Sequence, residues 1–125
     1  MNKILIKPAA LGPATAPYNH GVRIGDLLFC AGQIGTAPGS VQLTGDVKAQ
    51  TERVLENIKL ILLDQKLTPA NVIKATVFMT DLAHFAEMNE IYGRFFGSDF
   101  PARTTVQVAA LPGGAQVEIE VIAHY

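Results

Sequence analysis

From residue 116 to residue 123 the chain reads QVEIEVIA, and this strict alternation is the feature that most limits how it can fold. A period of two belongs to a strand with one face buried and one wet, so Val117, Ile119, Val121 and Ala123 line one face and Glu118 and Glu120 the other. A second alternating run covers residues 103–108, and Pro112, Gly113 and Gly114 punctuate the loop between the two. This pattern predicts an antiparallel β-hairpin with a loop of medium length. In its first strand Arg103, Thr105 and Gln107 point one way and Thr104, Val106 and Val108 the other. The hairpin would then carry a row of polar groups headed by the Arg103 guanidinium and the two carboxylates. On residue types alone, such a row equally describes a solvated sheet face with a cross-strand ion pair.

The rest of the chain supplies the other layers. Residues 3–7 read as a short edge strand ended by Pro8, and residues 9–17 as a surface loop rich in Pro, Gly and Ala, closed by Tyr18, Asn19, His20 and Gly21. An aromatic and a histidine there could line a pocket or simply pack on a rim. Residues 22–24 and 27–34 read as strands joined by a turn at Gly25-Asp26, with Leu28 and Cys30 on one face and Phe29 and Ala31 on the other. Gly32 admits a close approach by backbone or ligand, or marks a bulge. Asp46 caps a helix running to about residue 65, whose apolar face holds Val47, Thr51, Val54, Leu55, Ile58, Ile61 and Leu62. Thr68-Pro69 starts a short turn, and residues 72–80 form a strand in which Ile73, Ala75, Val77 and Met79 share one face. Asp81 caps a second helix, 82–96, with Leu82, Phe85, Met88, Tyr92, Phe95 and Phe96 along its apolar face. Asn89 falls on that face too, where an amide either ties down a loop or looks into a site.

Helices with single apolar stripes predict an α+β fold in which both cover one face of a sheet. The chain is expected to form one domain, residues 1–125. The opposite face, apolar along 27–31, is then left for neighbouring subunits. The low charged fraction of 17% beside 49% hydrophobic residues points the same way. A net charge of −1 with only 10 Lys and Arg gives no footprint for nucleic acid or a membrane surface. Cys30 is the single cysteine, which excludes an intrachain disulfide, and the first residues lack the apolar core of a signal peptide. These features lead us to expect a cytoplasmic protein. The three histidines are scattered without metal-ligand spacing, and no dinucleotide or phosphate loop is present, so no metal or cofactor is expected.

With those residues laid out, the chain resembles the Rid (YjgF-like, reactive-imine deaminase) family nearly end to end. APYNHG is similar to the family's Pro-Tyr segment, AGQIG to its Gly-Gln-Ile segment, and KATVFMTDLAHFAEMNEIYGRFF to its strand-to-helix unit. PARTTVQVAALPGGAQVEIEVIA is similar to the most specific signature, around Pro-Ala-Arg and the Glu-Ile-Glu run. The resemblance implies a chorismate-mutase-like α+β fold, a mixed sheet with two helices on one face, and a homotrimer with clefts between subunits. It also implies hydrolysis of 2-imino acids, such as 2-iminobutanoate and 2-iminopropanoate, to 2-keto acids and ammonia without a cofactor. Carried over by position, it assigns Arg103 to the substrate carboxylate and Glu118 to the attacking water. Tyr18, Gly32, Asn89 and Thr105 become pocket-lining residues, with Thr105 where many members have cysteine. Ala31 stands where many deaminases have a serine hydroxyl, and Cys30 cannot replace it because alternation aims it at the other face.

Three functions compete on this basis. Imine hydrolysis uses Arg103 as the anion clamp and Glu118 on the water. A non-catalytic module binding small carboxylates would keep the clamp without turnover, and Ala31 favours it. Endoribonuclease activity is disfavoured, because the chain has neither a basic patch nor a histidine pair placed for phosphodiester cleavage.

Overall fold

The computed structural model describes residues 2–125. Its longer helix, α1 (Val47–Asp64), begins where Asp46 accepts a hydrogen bond from the Ala49 amide at 3.0 Å. Every apolar residue assigned to its inner face is buried, and Val54, Ile58, Ile61 and Leu62 are fully enclosed. Truncating Ile58, Ile61 or Leu62 to alanine would cost about 2–5 kcal/mol. The buried polar groups of α1 are also satisfied. The Gln50 side chain donates to Gly45 O and accepts from the Gln116 amide, and Asn57 donates to Thr36 O. These bonds tie the helix to the loop before it and to the start of the last strand.

Beneath α1 and α2 (Phe85–Phe96) lies one sheet built from β1 (Ile4–Ile6), β2 (Gly21–Ile24), β3 (Leu27–Ile34), β4 (Val72–Met79), β5 (Ala102–Gln107) and β6 (Val117–His124). The spatial order is β1-β2-β3-β6-β4-β5. All pairs are antiparallel except β4 with β5, which run parallel. The core is the layer between the helices and the inner row of Leu28, Cys30, Ala75, Val77, Met79, Val117, Ile119, Val121 and Ala123. Burial pushes the Cys30 thiol up to about 12, which leaves it protonated and inert.

The expected hairpin does not form. The runs at 103–108 and 116–123 are both strands, but β4 lies between them. The reason is the connection that precedes β5. A strand, a helix and a strand in succession, β4-α2-β5, return the chain parallel to where it started, so β5 takes the place beside β4. β6 carries the fully buried Val117 and Ile119, and it takes the interior place between β3 and β4. The more polar β5 becomes an edge.

Two further differences are local. β4 shifts register against β6 between Val72 and Lys74, which turns Val72 inward and leaves Ile73 44% exposed, the reverse of its assigned face. The segment after Asp81 opens as a 3-10 turn, Leu82–His84, so α2 proper starts at Phe85, and Leu82 and Phe85 are exposed rather than buried.

Both helices pack on one face of the sheet, as the stripes predict. The other face carries Leu5, Val22, Phe29 and Ile122 in register across four strands, and Phe29 remains 41% exposed. Between Cys30 and Gln33 the β3–β6 register slips, setting Ala31 and Gly32 opposite Glu120 in a β-bulge. Among the described residues no helix is long and apolar enough to cross a membrane.

Candidate active site

Arg103 is held by three residues of α2. Phe85, Asn89 and Tyr92 stand at i, i+4 and i+7, so they share one helix face, and β5 brings Arg103 to it beside the buried Ala75. Arg103 Nη1 donates to Asn89 Oδ1 at 2.7 Å. Its guanidinium carbon lies 4.7 Å from the Tyr92 ring centroid and 5.5 Å from that of Phe85, within cation–π range. Among the described residues no carboxylate comes within ion-pair distance of Arg103. The guanidinium is therefore oriented, flanked by aromatic rings, and left with donors for an anion. Thr105, two residues on, turns to the same face, and its Oγ1 and the Tyr92 hydroxyl are both buried without a hydrogen-bond partner among the described residues. Burial raises the Tyr92 phenol, against the opposing pull of the Arg103 charge.

Glu118 occupies the other face. It pairs with Phe78 and Ile34, and its neighbours of opposite parity, Val117 and Ile119, point into the core. Its carboxylate lies directly over Gly32: a Cβ at residue 32 would sit 2.5 Å from Glu118 Oε2 and 2.9 Å from Cδ. The bulge and the glycine together make room for that carboxylate. Burial, and then the like charge of Glu120, raises the Glu118 carboxyl above its ordinary range. Gly32 also lines a cavity of about 760 Å³ with Tyr18, His20, Ile34 and the tip of the loop at residues 36–41.

The residues singled out from the sequence thus fall into two groups. Arg103, Asn89 and Thr105 gather under α2. Tyr18, Ala31, Gly32 and Glu118 gather around the bulge. The expected row of Arg103 with Glu118 and Glu120 on one face is not found, because β5 presents Arg103 to the helix side while β6 presents its glutamates to the open side. The sequence pattern marks Phe85 and Tyr92 only as core residues; the signal for their second role is their spacing from Asn89 on one helix face. Among the described residues no cluster of three or more His, Cys, Asp or Glu side chains could hold a metal.

Sheet order, helix layer and the two polar clusters define a class of small α+β proteins with helices on one sheet face. Comparison with known proteins narrows it. Residues 9–125 match the family described as endoribonuclease L-PSP. DfrA of Myxococcus xanthus is 46% identical over 119 residues, covering 93% of this chain and 88% of its own. TdcF of Escherichia coli, named as a proposed reactive intermediate deaminase, is 42% identical over 126 residues, covering 98% and 97%. The crystal structure of E. coli TdcF with bound serine superposes with a TM-score of 0.92 at 39% identity, covering 98% of each chain. RidA from an Antarctic Psychrobacter gives 0.93 at 38%, covering 98% and 99%. The chain belongs to the Rid (YjgF-like) family.

Proposed function

We propose that this chain hydrolyses 2-imino acids, such as 2-iminobutanoate and 2-iminopropanoate, to 2-keto acids and ammonia, in clefts between the subunits of a homotrimer. The observation that carries the reading is Arg103, oriented by Asn89 and flanked by Phe85 and Tyr92 with no internal counter-ion among the described residues. That is a receptor for a small carboxylate, and a planar fork grips one bidentately. The bound serine of TdcF, itself a small carboxylate, supports the assignment.

Glu118 supplies the second half. Its carboxyl, raised by burial and then by the like charge of Glu120, holds a proton more readily than an ordinary glutamate does, which suits a general base. It takes a proton from water as the oxygen adds to the imine carbon, giving a carbinolamine. It returns that proton to nitrogen and then relays the hydroxyl proton there too, so that the C–N bond breaks, ammonia departs, the carbonyl forms and Glu118 is left ionised. Arg103 and Glu118 face opposite sides of one sheet, so one copy cannot bring both to one substrate. A neighbouring copy has to contribute one of them, and the exposed apolar residues of the open face, Leu5, Phe29 and Val106 among them, give such copies a surface to bury.

Binding without turnover is a second reading, favoured by Ala31, which offers no hydroxyl at the bulge and whose amide is already bonded to His20 O. One assay separates the two. Imines are generated in situ from several amino acids, and their loss is followed with and without the protein. Acceleration is expected, and its absence for every imine tried, with carboxylate binding intact, would leave the binding module. Light scattering should give a trimer mass; a monomer at micromolar concentration would overturn the shared cleft.

A further inference from the structure

His20 ends the loop before β2, and among the described residues it is the one histidine that the fold encloses, at 9% exposure. Its Nε2 lies 3.2 Å from the carbonyl of Gly12. A carbonyl only accepts, so Nε2 carries the hydrogen of that bond, while Nδ1 is buried and has no partner among the described residues. Gly12 itself has φ +71°, a conformation that side-chain-bearing residues rarely adopt, and it closes the short 3-10 turn Ala9–Leu11. The Tyr18 ring stands edge-on to the imidazole, centroids 5.9 Å apart and planes at 87°. The backbone carbonyl of His20 takes the Ala31 amide at 2.9 Å.

One residue thus touches three parts of the Glu118 side of the molecule: the loop through Gly12, the ring of Tyr18, and the Ala31–Gly32 bulge over which Glu118 lies. Tyr18 is half exposed, at 48%, and borders the cavity that Gly32 also lines. An exposed tyrosine on a loop of Pro, Gly and Ala has few restraints of its own. Its edge-to-face contact and the Gly12 tether both come from His20.

We propose that His20 is a positioning residue, whose imidazole locks the 9–17 loop and Tyr18 against the Ala31–Gly32 bulge and so sets the wall of the cleft that the substrate meets. The inference rests on the proposed function only in taking Tyr18 as a cleft residue. His20 touches no reacting atom. It acts through Tyr18 and the loop, so it governs how well a ligand is held rather than how fast the held ligand reacts.

Two variants divide its contacts. His20→Gln keeps an N–H for the Gly12 carbonyl and removes the ring, while His20→Phe keeps a ring edge for Tyr18 and removes the donor. Neither changes the backbone bond to Ala31, and both leave Arg103 and Glu118 untouched. Losing one such contact is worth roughly a tenfold change in a local equilibrium. We expect hydrogen exchange across residues 9–19 to quicken about tenfold in at least one variant. The dissociation constant for 2-ketobutyrate or serine, and KM for the imine, should rise by a similar factor of roughly ten, with kcat within about twofold of the parent. Unchanged exchange, dissociation constant and KM in both variants overturn the proposal. So does a lowered melting temperature alone, with ligand affinity intact, since that is a purely structural role. Exchange and 2-ketobutyrate binding need no turnover: a parent chain that hydrolysed no imine would end the proposed function, and exchange together with the dissociation constant in the two variants would still decide the role of His20.

Discussion

Arg103 and Glu118 occupy opposite faces of one sheet, and the chain prepares them by different means. Around Arg103 the groups are in place already: an amide at 2.7 Å, two aromatic rings, and a rigid helix that presents all three at helical spacing. Around Glu118 the chain supplies space instead, a bulge and a glycine that clear room for a carboxylate, with the opposite wall left to a half-exposed loop residue, Tyr18. A binding charge gains from being held before the ligand arrives, since ordering costs are then met in folding. A group that must take and return a proton gains from a raised affinity for it, which burial and a like charge provide. Under the proposed roles, receptor and base call for different surroundings, and the two faces of the sheet keep Arg103 and Glu118 apart.

The contrast can be broken first at Arg103. Arg103→Ala removes the counter-charge of the ligand and should abolish both binding and turnover, a loss of about 2–5 kcal/mol. Arg103→Lys should rescue little, because one ammonium cannot replace the fork. Titration with 2-ketobutyrate beside the imine assay checks this, and full activity in the alanine variant ends the reading. Glu118→Gln should do the opposite: carboxylates bind about as before, while hydrolysis slows by roughly 10²–10⁴-fold. Weakened binding in that variant would show that Glu118 holds the ligand rather than the water.

A smaller effect tests the space itself. Gly32→Ala puts a methyl where the Glu118 carboxylate lies, and the flexible tip of that side chain can swing away. The protein should fold with little loss, yet kcat should fall by roughly tenfold to a hundredfold through misplacement of the base. Equal kcat in the two proteins would mean that the carboxylate does not act from the position over Gly32.

The smallest effect is in pH. Glu118 must be ionised to take a proton, and its carboxyl lies above the ordinary range, so turnover should fall on acidification before an ordinary glutamate would titrate. Glu120→Gln removes the like charge and should move that acid limb to lower pH, although burial, the larger cause, stays. Stability carries the sign of a raised carboxyl. Its contribution favours the fold below the ordinary glutamate value and is lost as pH rises through the raised one. A pH–rate profile of both proteins checks the shift.

Much of this was legible in residue order, and the failures are specific. Both helices are amphipathic, and periodicity located them within a few residues, but only α1 has its expected acidic cap: Asp81 caps the 3-10 turn Leu82–His84, and α2 itself starts after His84. Alternation also sorted β6 and β5 correctly into faces, because a strand's period is local. It says nothing about which strand lies alongside, and that is why β5 and β6 were paired when β4 separates them. The strand–helix–strand order from Val72 to Gln107 held the missing information. The Val72/Ile73 exchange was not legible, because a bulge inserts a residue without altering composition. For the site, Asn89 stood out as an amide on an apolar face, whereas Phe85 and Tyr92 looked like core until Arg103 was beside them.

On opposite faces of the sheet, Arg103 and Glu118 are, in genetic terms, two separable halves of a site. If each cleft draws one of these residues from each of two copies, Arg103→Ala and Glu118→Gln are defects that fall on different sides of every cleft. Two inactive alleles should then complement each other. Mixed and reassembled in equal amounts, the two dead proteins should recover about a quarter of the parental activity, because a random cleft has an even chance of receiving each intact residue. Alleles whose defects lay within a single copy's site would show no such recovery at any ratio.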